Sequence, residues 1–330
     1  MKLAAGVGSI LLARSVLRHQ RTIDLAGKVV VITGGSRGLG LVLSRALVAR
    51  GAHIAICARD VAELDRARQE LEQLGGHVFS AACDVTDRDD LLRFIAIVED
   101  EVGPIDVLIN NAGVIQVGPL EHMAEADFEQ ALSVNLKGPL RASLAVLPGM
   151  RRRKAGRIVN IASIGGKVAM PHLAAYSTSK FALVGLSAAM RAELVKDGIY
   201  VTTVCPGLMR TGSPRHAVIK GNHQAEYGWF SISDSLSITS VSAEAAAEQI
   251  IRGFTRGDAE VVISPQAKLA SLIHGLSPGL VQEALGLIAR FMPGPTGSNI
   301  AVEGKDAESS IAPSILTRQS DDAARRNNEN

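Results

Sequence analysis

Between Lys28 and Ser264 short, unbroken apolar runs alternate with longer stretches of helical periodicity, and this alternation restricts the fold more than any other feature of the chain. The runs are residues 29–32, 53–57, 78–82, 105–109, 157–162, 200–204 and 261–263, most of them rich in Val, Ile and Ala. A strand with one wet face alternates apolar and polar residues; these runs do not, so both faces must be covered. The intervening stretches supply the covers. In residues 60–74, for instance, Val61, Leu64, Ala67, Leu71 and Leu74 recur at helical spacing with Asp, Glu, Arg and Gln on the other side. Seven such runs predict an α/β protein with a doubly wound, seven-stranded parallel sheet in three layers. No internal repeat or linker interrupts residues 26–263, which read as one domain.

A chain that is 47% hydrophobic, 21% charged and of formal net charge +2 fits a soluble globular protein and lacks the excess of Lys and Arg that nucleic-acid binding demands. Aromatic residues make up only 3%, so the core must be aliphatic. Cys57, Cys83 and Cys205 lie in or at the ends of apolar runs and form neither a Cys-x-x-Cys pair nor a zinc spacing. They read as buried thiols in a reduced, cytoplasmic compartment, with no metal site.

The two ends differ from this middle. Residues 3–13 are uncharged and mostly apolar, but the 11-residue run before Arg14 is far short of the ~20 needed to span a bilayer. With Arg14, Arg18 and Arg21 following, residues 1–25 read as a helical extension packed on the body, and a peripheral membrane contact is the sharper alternative. At the other end, Ser264-Pro265 and Ser277-Pro278 each offer an N-cap followed by proline at the first helical position. Two amphipathic helices are expected over residues 264–292, with Leu269, Leu272, Ile273 and Leu276 on one stripe and Leu280, Ala284, Leu287, Ile288 and Phe291 on the other. These stripes should bury on the parent domain or on a second subunit. From residue 293 to 330, Pro, Gly, Ser, Asn and mixed charge point to a disordered tail.

The first apolar run ends in Thr33-Gly34-Gly35-Ser36-Arg37-Gly38-Leu39-Gly40 and passes directly into a helix. Glycines there let the backbone turn sharply and come close to a pyrophosphate, which the free N–H groups and positive end of the helix attract. The Gly-x-x-x-Gly-x-Gly spacing resembles the cofactor motif of the short-chain dehydrogenase/reductase family. The resemblance continues in order through nearly all of residues 26–263. Cys83-Asp84-Val85 looks like that family's adenine-contacting turn, and Asn110-Asn111-Ala112-Gly113 like its fourth-strand motif. Asn135 resembles its catalytic Asn, Ser163 its catalytic Ser, and Tyr176-Ser177-Thr178-Ser179-Lys180 its Tyr-x-x-x-Lys pair. Pro206, Gly207, Met209 and Thr211 look like the loop that holds the nicotinamide amide. The resemblance implies a Rossmann-type fold. It also implies that Gly34, Ser36, Arg37, Gly38, Leu39, Gly40, Asp84, Val85, Asn111, Ala112, Gly113, Tyr176 and Lys180 contact the cofactor.

Tyr176 and Lys180 are four residues apart in a helical pattern, so their side chains share one face. A phenol beside a fixed ammonium and an oxidised nicotinamide should ionise below its ordinary pKa near ~10 and act as acid or base at a carbonyl oxygen. Ser163 would hydrogen-bond the same oxygen. The resemblance gives Lys180 a bond to the nicotinamide ribose and Asn135 a place in a water relay.

A free 2′-hydroxyl is gripped by a carboxylate at the end of the second strand and a 2′-phosphate by Arg or Lys. Arg59 stands at that point and Arg37 in the Gly-rich loop, with Asp60 read as the next helix's N-cap, so NADP(H) is favoured over NAD(H). Residues 212–240 are long enough to form a lid and carry Tyr227, Trp229 and Phe230, which suits an apolar substrate. By resemblance many members close with an Asp-Gly-Gly stretch used in a tetramer; its absence after residue 263 leaves a homodimer through residues 135–150 and 176–196. The expected activity is interconversion of a secondary alcohol and a ketone. A catalytically silent cofactor sensor or scaffold on the same fold, and a membrane-peripheral lipid or steroid ketoreductase, are the rival readings.

Overall fold

The computed structural model describes residues 15–236, 240–309, 312, 314 and 317–329, so the reading of residues 3–13 lies outside the described residues. The main sheet contains β1 (Val29–Thr33), β2 (His53–Ala58), β3 (His77–Ala82) and β4 (Ile105–Asn110), together with three later strands. After the short β5 (Gln116–Val117) come β6 (Gly156–Ile161) and β7 (Ile199–Pro206). Then follow β8 (Leu208–Arg210), β9 (Val218–Gly221), β10 (Ser240–Ser242) and β11 (Glu260–Ile263). The sheet order is β3-β2-β1-β4-β6-β7-β11, seven strands paired in parallel throughout. It is the parallel α/β sheet that the unbroken apolar runs predict and the Rossmann-type fold that the resemblance implies, and β1, at its centre, is buried along its whole length.

Helices cover both faces. On one side α1 (Gly38–Val48) and α2 (Val61–Gln73) pack Leu43, Leu47, Leu64 and Leu71 with Ile250 and Phe254 of a later helix against Ile32, Ile54 and Ile109. On the other, α3 (Arg88–Glu101) supplies Leu91, Phe94 and Val98 to a core with Val31, Leu108 and Ile158. The short α4 (Glu125–Leu132) precedes α5 (Gly138–Arg153) and α6 (Ala174–Leu194), and α5 adds Val146 and Met150 to that second core. The remaining helices are α7 (His223–Ser235) and α8 (Ala243–Thr255), the latter carrying Ile250 and Phe254. All three cysteines are free and buried. Strand order reverses at β1 and β4, and the crevice beyond the carboxyl ends of these two strands is where an α/β sheet binds ligands.

The described part of the first extension is as expected, and the departures lie at the other end. Residues 15–21 are helical and held to the body by Arg18, whose guanidinium meets Asp258 at 2.6 Å and 2.8 Å. The helices α9 (Pro265–Leu276) and α10 (Pro278–Ala289) form as expected, with the Ser264 hydroxyl accepting from the Ala267 amide at 3.1 Å, whereas the Ser277 side chain makes no such cap. Their apolar stripes do not bury on the parent domain: Leu269, Leu272, Leu276, Leu280, Leu287 and Phe291 are all exposed. The segment whose composition points to disorder is instead structured. Its strand β12 (Ser298–Glu303) pairs antiparallel with β9, which itself pairs with β5, and its helix α11 (Arg318–Arg326) buries Ala323 and Ala324. Hydrogen bonding, which composition does not measure, holds this polar segment. No helix among the described residues is long and apolar enough to cross a membrane.

Candidate active site

The turn after β1 is stitched to the end of β4. Thr33 Oγ1 accepts the amides of Asn111 and Ala112, both at 3.1 Å, and Asn111 Nδ2 returns bonds to the carbonyls of Thr33 (3.1 Å) and Gly34 (2.8 Å). Gly34 has φ +65°, and a Cβ there would stand 2.9 Å from Ala112 Cα; one on Gly40 would stand 2.1 Å from the Gly34 carbonyl oxygen. Only glycine fits either place. Arg37 precedes α1 without capping it through its side chain, so the helix's opening N–H groups take acceptors from elsewhere, the Gly38 amide donating to the Asn327 carbonyl at 2.9 Å. At Gly38 (φ +54°) the space a Cβ would occupy holds a carboxyl oxygen of Glu329, 2.1 Å from that point. The turn therefore leaves room for an oxygen beside Gly38 at the opening of the helix, where a dinucleotide pyrophosphate would lie.

The structure sorts the other expected cofactor residues. Arg59 is exposed just past β2, and Asp60 caps α2, its carboxylate accepting from the Glu63 amide at 2.9 Å. Arg37 is paired with Glu63 at 2.8 Å, and the Ser36 hydroxyl donates to the other Glu63 oxygen at 3.0 Å. Glu63 is a carboxylate that the strand-end reading missed. Asp84 closes its own turn by accepting from the Thr86 amide and hydroxyl, both at 2.8 Å, and Val85 lies against Gly138. Gly207 donates its amide to the Ile263 carbonyl at 3.0 Å, Met209 donates its amide to Asp234 at 3.2 Å, and Thr211 Oγ1 accepts from Ser213 at 3.1 Å.

The four expected catalytic residues meet at the carboxyl ends of β4 and β6. Ser163 follows β6; its hydroxyl oxygen accepts from the Gly165 amide at 3.0 Å, and it lies beside Tyr176, a Cβ on Gly165 standing 3.4 Å from Ser163 Oγ and 3.2 Å from Tyr176 Cε1. Lys180, one turn beyond Tyr176 on α6, places Nζ 5.7 Å from the Tyr176 ring centre and donates to the Ile161 carbonyl at 2.8 Å. Asn135 lies in a π-turn, Ser133–Lys137, of the kind often found at functional sites. Its amide oxygen accepts from the Val114 N–H at 3.0 Å, and its Nδ2 donates to the Val114 carbonyl at 3.0 Å and to Ser179 Oγ at 2.9 Å. Gly113 lets the loop after β4 pass close by: a Cβ there would be 3.1 Å from the Asn135 amide oxygen and 3.6 Å from Lys180 Nζ.

The electrostatics of the protein alone set the starting point for Tyr176 and Lys180. Burial pushes Tyr176 up to about 12, with the neighbouring Ser163 hydroxyl opposing it, and burial brings Lys180 down to about 8. In the protein alone desolvation outweighs the neighbouring ammonium, and a lowered tyrosine pKa would need the further positive charge of an oxidised nicotinamide. At neutral pH Tyr176 is a phenol, the form that gives a proton. Part of residues 212–240 packs beside Tyr176, with residues 237–239 outside the described set. Tyr227 and Phe230 are buried with Val117, Leu173 and Ile219, and Tyr176, Ile115 and Trp229 pack against this cluster.

Comparison with known proteins agrees with this geometry. The family model described as short chain dehydrogenase matches residues 28–218. The chain is 33% identical over 281 residues to a dehydrogenase/reductase SDR family protein 7-like of Anopheles gambiae, covering 83% of this chain and 87% of that one. It is 38% identical over 186 residues to a putative ketoacyl reductase of Streptomyces coelicolor, covering 56% and 71% respectively. Among solved structures, a variant of actinorhodin polyketide ketoreductase with NADPH superposes with a TM-score of 0.64 at 32% identity, over 72% of this chain and 95% of that chain.

Proposed function

The chain belongs to the short-chain dehydrogenase/reductase family of oxidoreductases, and on that premise we propose that it interconverts a secondary alcohol and a ketone on an apolar molecule, using NADP(H). The observation that carries this reading is the Ser163–Tyr176–Lys180 arrangement: a phenol with a serine hydroxyl beside it and an ammonium 5.7 Å from its ring. The nicotinamide, when bound, supplies or accepts the hydride. Tyr176 gives its proton to the carbonyl oxygen, and Ser163 hydrogen-bonds the same oxygen as charge develops on it. Lys180 keeps a positive charge near the phenol below about pH 8, which eases departure of the proton. Asn135, fixed through both atoms of its amide, holds the loop after β4 against α6.

Two observations support NADP(H). The Asp60 carboxylate is engaged as a helix cap, and the exposed Arg59 is free to meet a 2′-phosphate. An apolar substrate is supported by the cluster against which Tyr176 packs and by the similarity to ketoacyl reductases. Exposed Leu144 on α5 and Phe181 on α6 support a homodimer through these two helices. The test is Tyr176→Phe. Ketone-dependent NADPH oxidation should disappear while NADPH affinity stays that of the parent chain; unaltered oxidation overturns the reading.

A further inference from the structure

The last described residues lie in the dinucleotide's half of the site. The carbonyl of Asn327 accepts the Gly38 amide at 2.9 Å, at the first residue of α1. Asn328, with φ +60°, bridges the phosphate-binding turn and α2: its Nδ2 donates to the carbonyls of Ser36 (2.9 Å) and Glu63 (3.0 Å), and its Oδ1 accepts from Arg66 at 2.7 Å. Arg45 of α1 donates to Asn327 Oδ1 at 2.9 Å and to the Arg326 carbonyl at 2.7 Å. Glu329 is 3% exposed. One of its carboxyl oxygens fills the space beside Gly38, and the other lies 2.9 Å from where a Cβ on Gly212 would stand. Behind them α11 is fastened to α7, with Ser320 donating to Asp234 and Ser235 donating to the Thr317 carbonyl, both at 3.2 Å.

The amide that opens a helix has no partner within the helix and must find one outside it. Here Asn327 is that partner for Gly38, and a phosphate oxygen would use the same amide. The Glu329 carboxyl fills the space that a ligand oxygen close to Gly38 would need. Two occupants cannot share that volume. The segment also runs from Gly38 to Gly212, so it lies between the phosphate-binding turn and the far end of the loop expected to hold the nicotinamide amide.

We propose that residues 317–329 are an intramolecular competitor of the dinucleotide, seated on its phosphate-binding turn, so that cofactor binds only when this segment leaves. The proposal rests on the cofactor reading given above. The intact chain's apparent affinity is then its intrinsic affinity multiplied by the fraction of molecules with the segment released.

The test is an NADPH fluorescence titration of three proteins: the intact chain, a chain ending at residue 316, and the full-length Asn328→Ala, Glu329→Ala double variant, which keeps α11 in place should truncation disturb folding. A gain in affinity on the order of tenfold is expected for both altered chains, reversed for the truncated chain by a peptide of residues 317–330 added in trans. In the intact chain, saturating NADPH should raise amide hydrogen exchange across residues 317–329. Equal affinities in all three proteins, with tail exchange unchanged by NADPH, overturn the competition and leave the cofactor reading standing. Failure of the truncated and doubly substituted chains alike to bind NADPH or NADH overturns both.

Discussion

On the β6–α6 side of the cleft, the groups that would do the chemistry are already held by the catalytic domain: Ser163 against Tyr176, Lys180 on the Ile161 carbonyl, Asn135 locked to Val114 and Ser179. On the β1–α1 side, the turn that would hold a phosphate is covered by a segment as much as 292 positions away in sequence, and its Gly38 amide is taken by the Asn327 carbonyl. Proton transfer tolerates little misplacement, so its groups are fixed before substrate arrives. Cofactor binding needs only a turn of the right shape, and that turn can be covered and uncovered. Reaction rate and cofactor affinity should thus respond to different substitutions.

The largest separation is expected from Tyr176→Phe, which should lower ketone reduction by about 100-fold or more without moving the NADPH dissociation constant, as seen by comparing turnover with a binding titration. A shift in affinity as large as the loss in rate would join the two sides. Ser163→Ala should act in the same sense, with a loss of about 100-fold carried in kcat. Arg59→Ala belongs to the other side: it should weaken NADPH by about tenfold, leave NADH unaffected and spare kcat at saturation. An equal effect on both cofactors would remove Arg59 from the 2′-phosphate.

The smallest effect is one of pH. Burial pushes Glu329 up to about 8 from the ordinary 4.5, with Arg37 and Arg215 opposing the shift and Asp234 and Glu63 adding to it. Asp234, held by Ser320 and Met209 and facing Arg210, is pushed up by burial from 3.8 to about 7. Both carboxyls take up protons when the segment docks. Docking is therefore fully favoured below the ordinary carboxylate range and weakens as pH rises through the window up to about 8, beyond which it is flat. The NADPH affinity of the intact chain, relative to the chain ending at residue 316, should rise a few-fold between about pH 6 and 8. Glu329→Gln should flatten that rise, and a profile unchanged by the substitution would contradict it.

The grouping of Ser163, Tyr176 and Lys180 was legible in the sequence because these residues stand at fixed spacing: Tyr176 and Lys180 share a helix face, and Ser163 ends an apolar run. The sheet was legible because strands covered on both faces cannot disguise themselves as alternating ones. The covering segment was not. Asn327 and Asn328 bind largely through and to backbone atoms, the Asn327 carbonyl on the Gly38 amide and the Asn328 amide on the Ser36 and Glu63 carbonyls, and nothing in residue type announces such bonds. Polar composition over residues 293–330 measures only how little apolar surface there is to bury. The apolar stripes of α9 and α10 show the converse, since helical periodicity predicted their form and said nothing about what covers them. Glu63 lay within reach: three residues after the Asp60 cap, it stands on the first turn of α2, beside the Gly-rich loop.

The most direct measurement is NADPH oxidation over a panel of ketosteroids, acyl ketones, sugars and quinones by the chain ending at residue 316 and by the same chain carrying Tyr176→Phe, with NADPH binding verified in both. Ketone-dependent oxidation by the first and none by the second is the predicted result. Oxidation that survives the loss of the phenol, or its absence throughout the panel despite bound NADPH, would contradict the assignment of Tyr176 as the proton donor of an alcohol–ketone oxidoreductase.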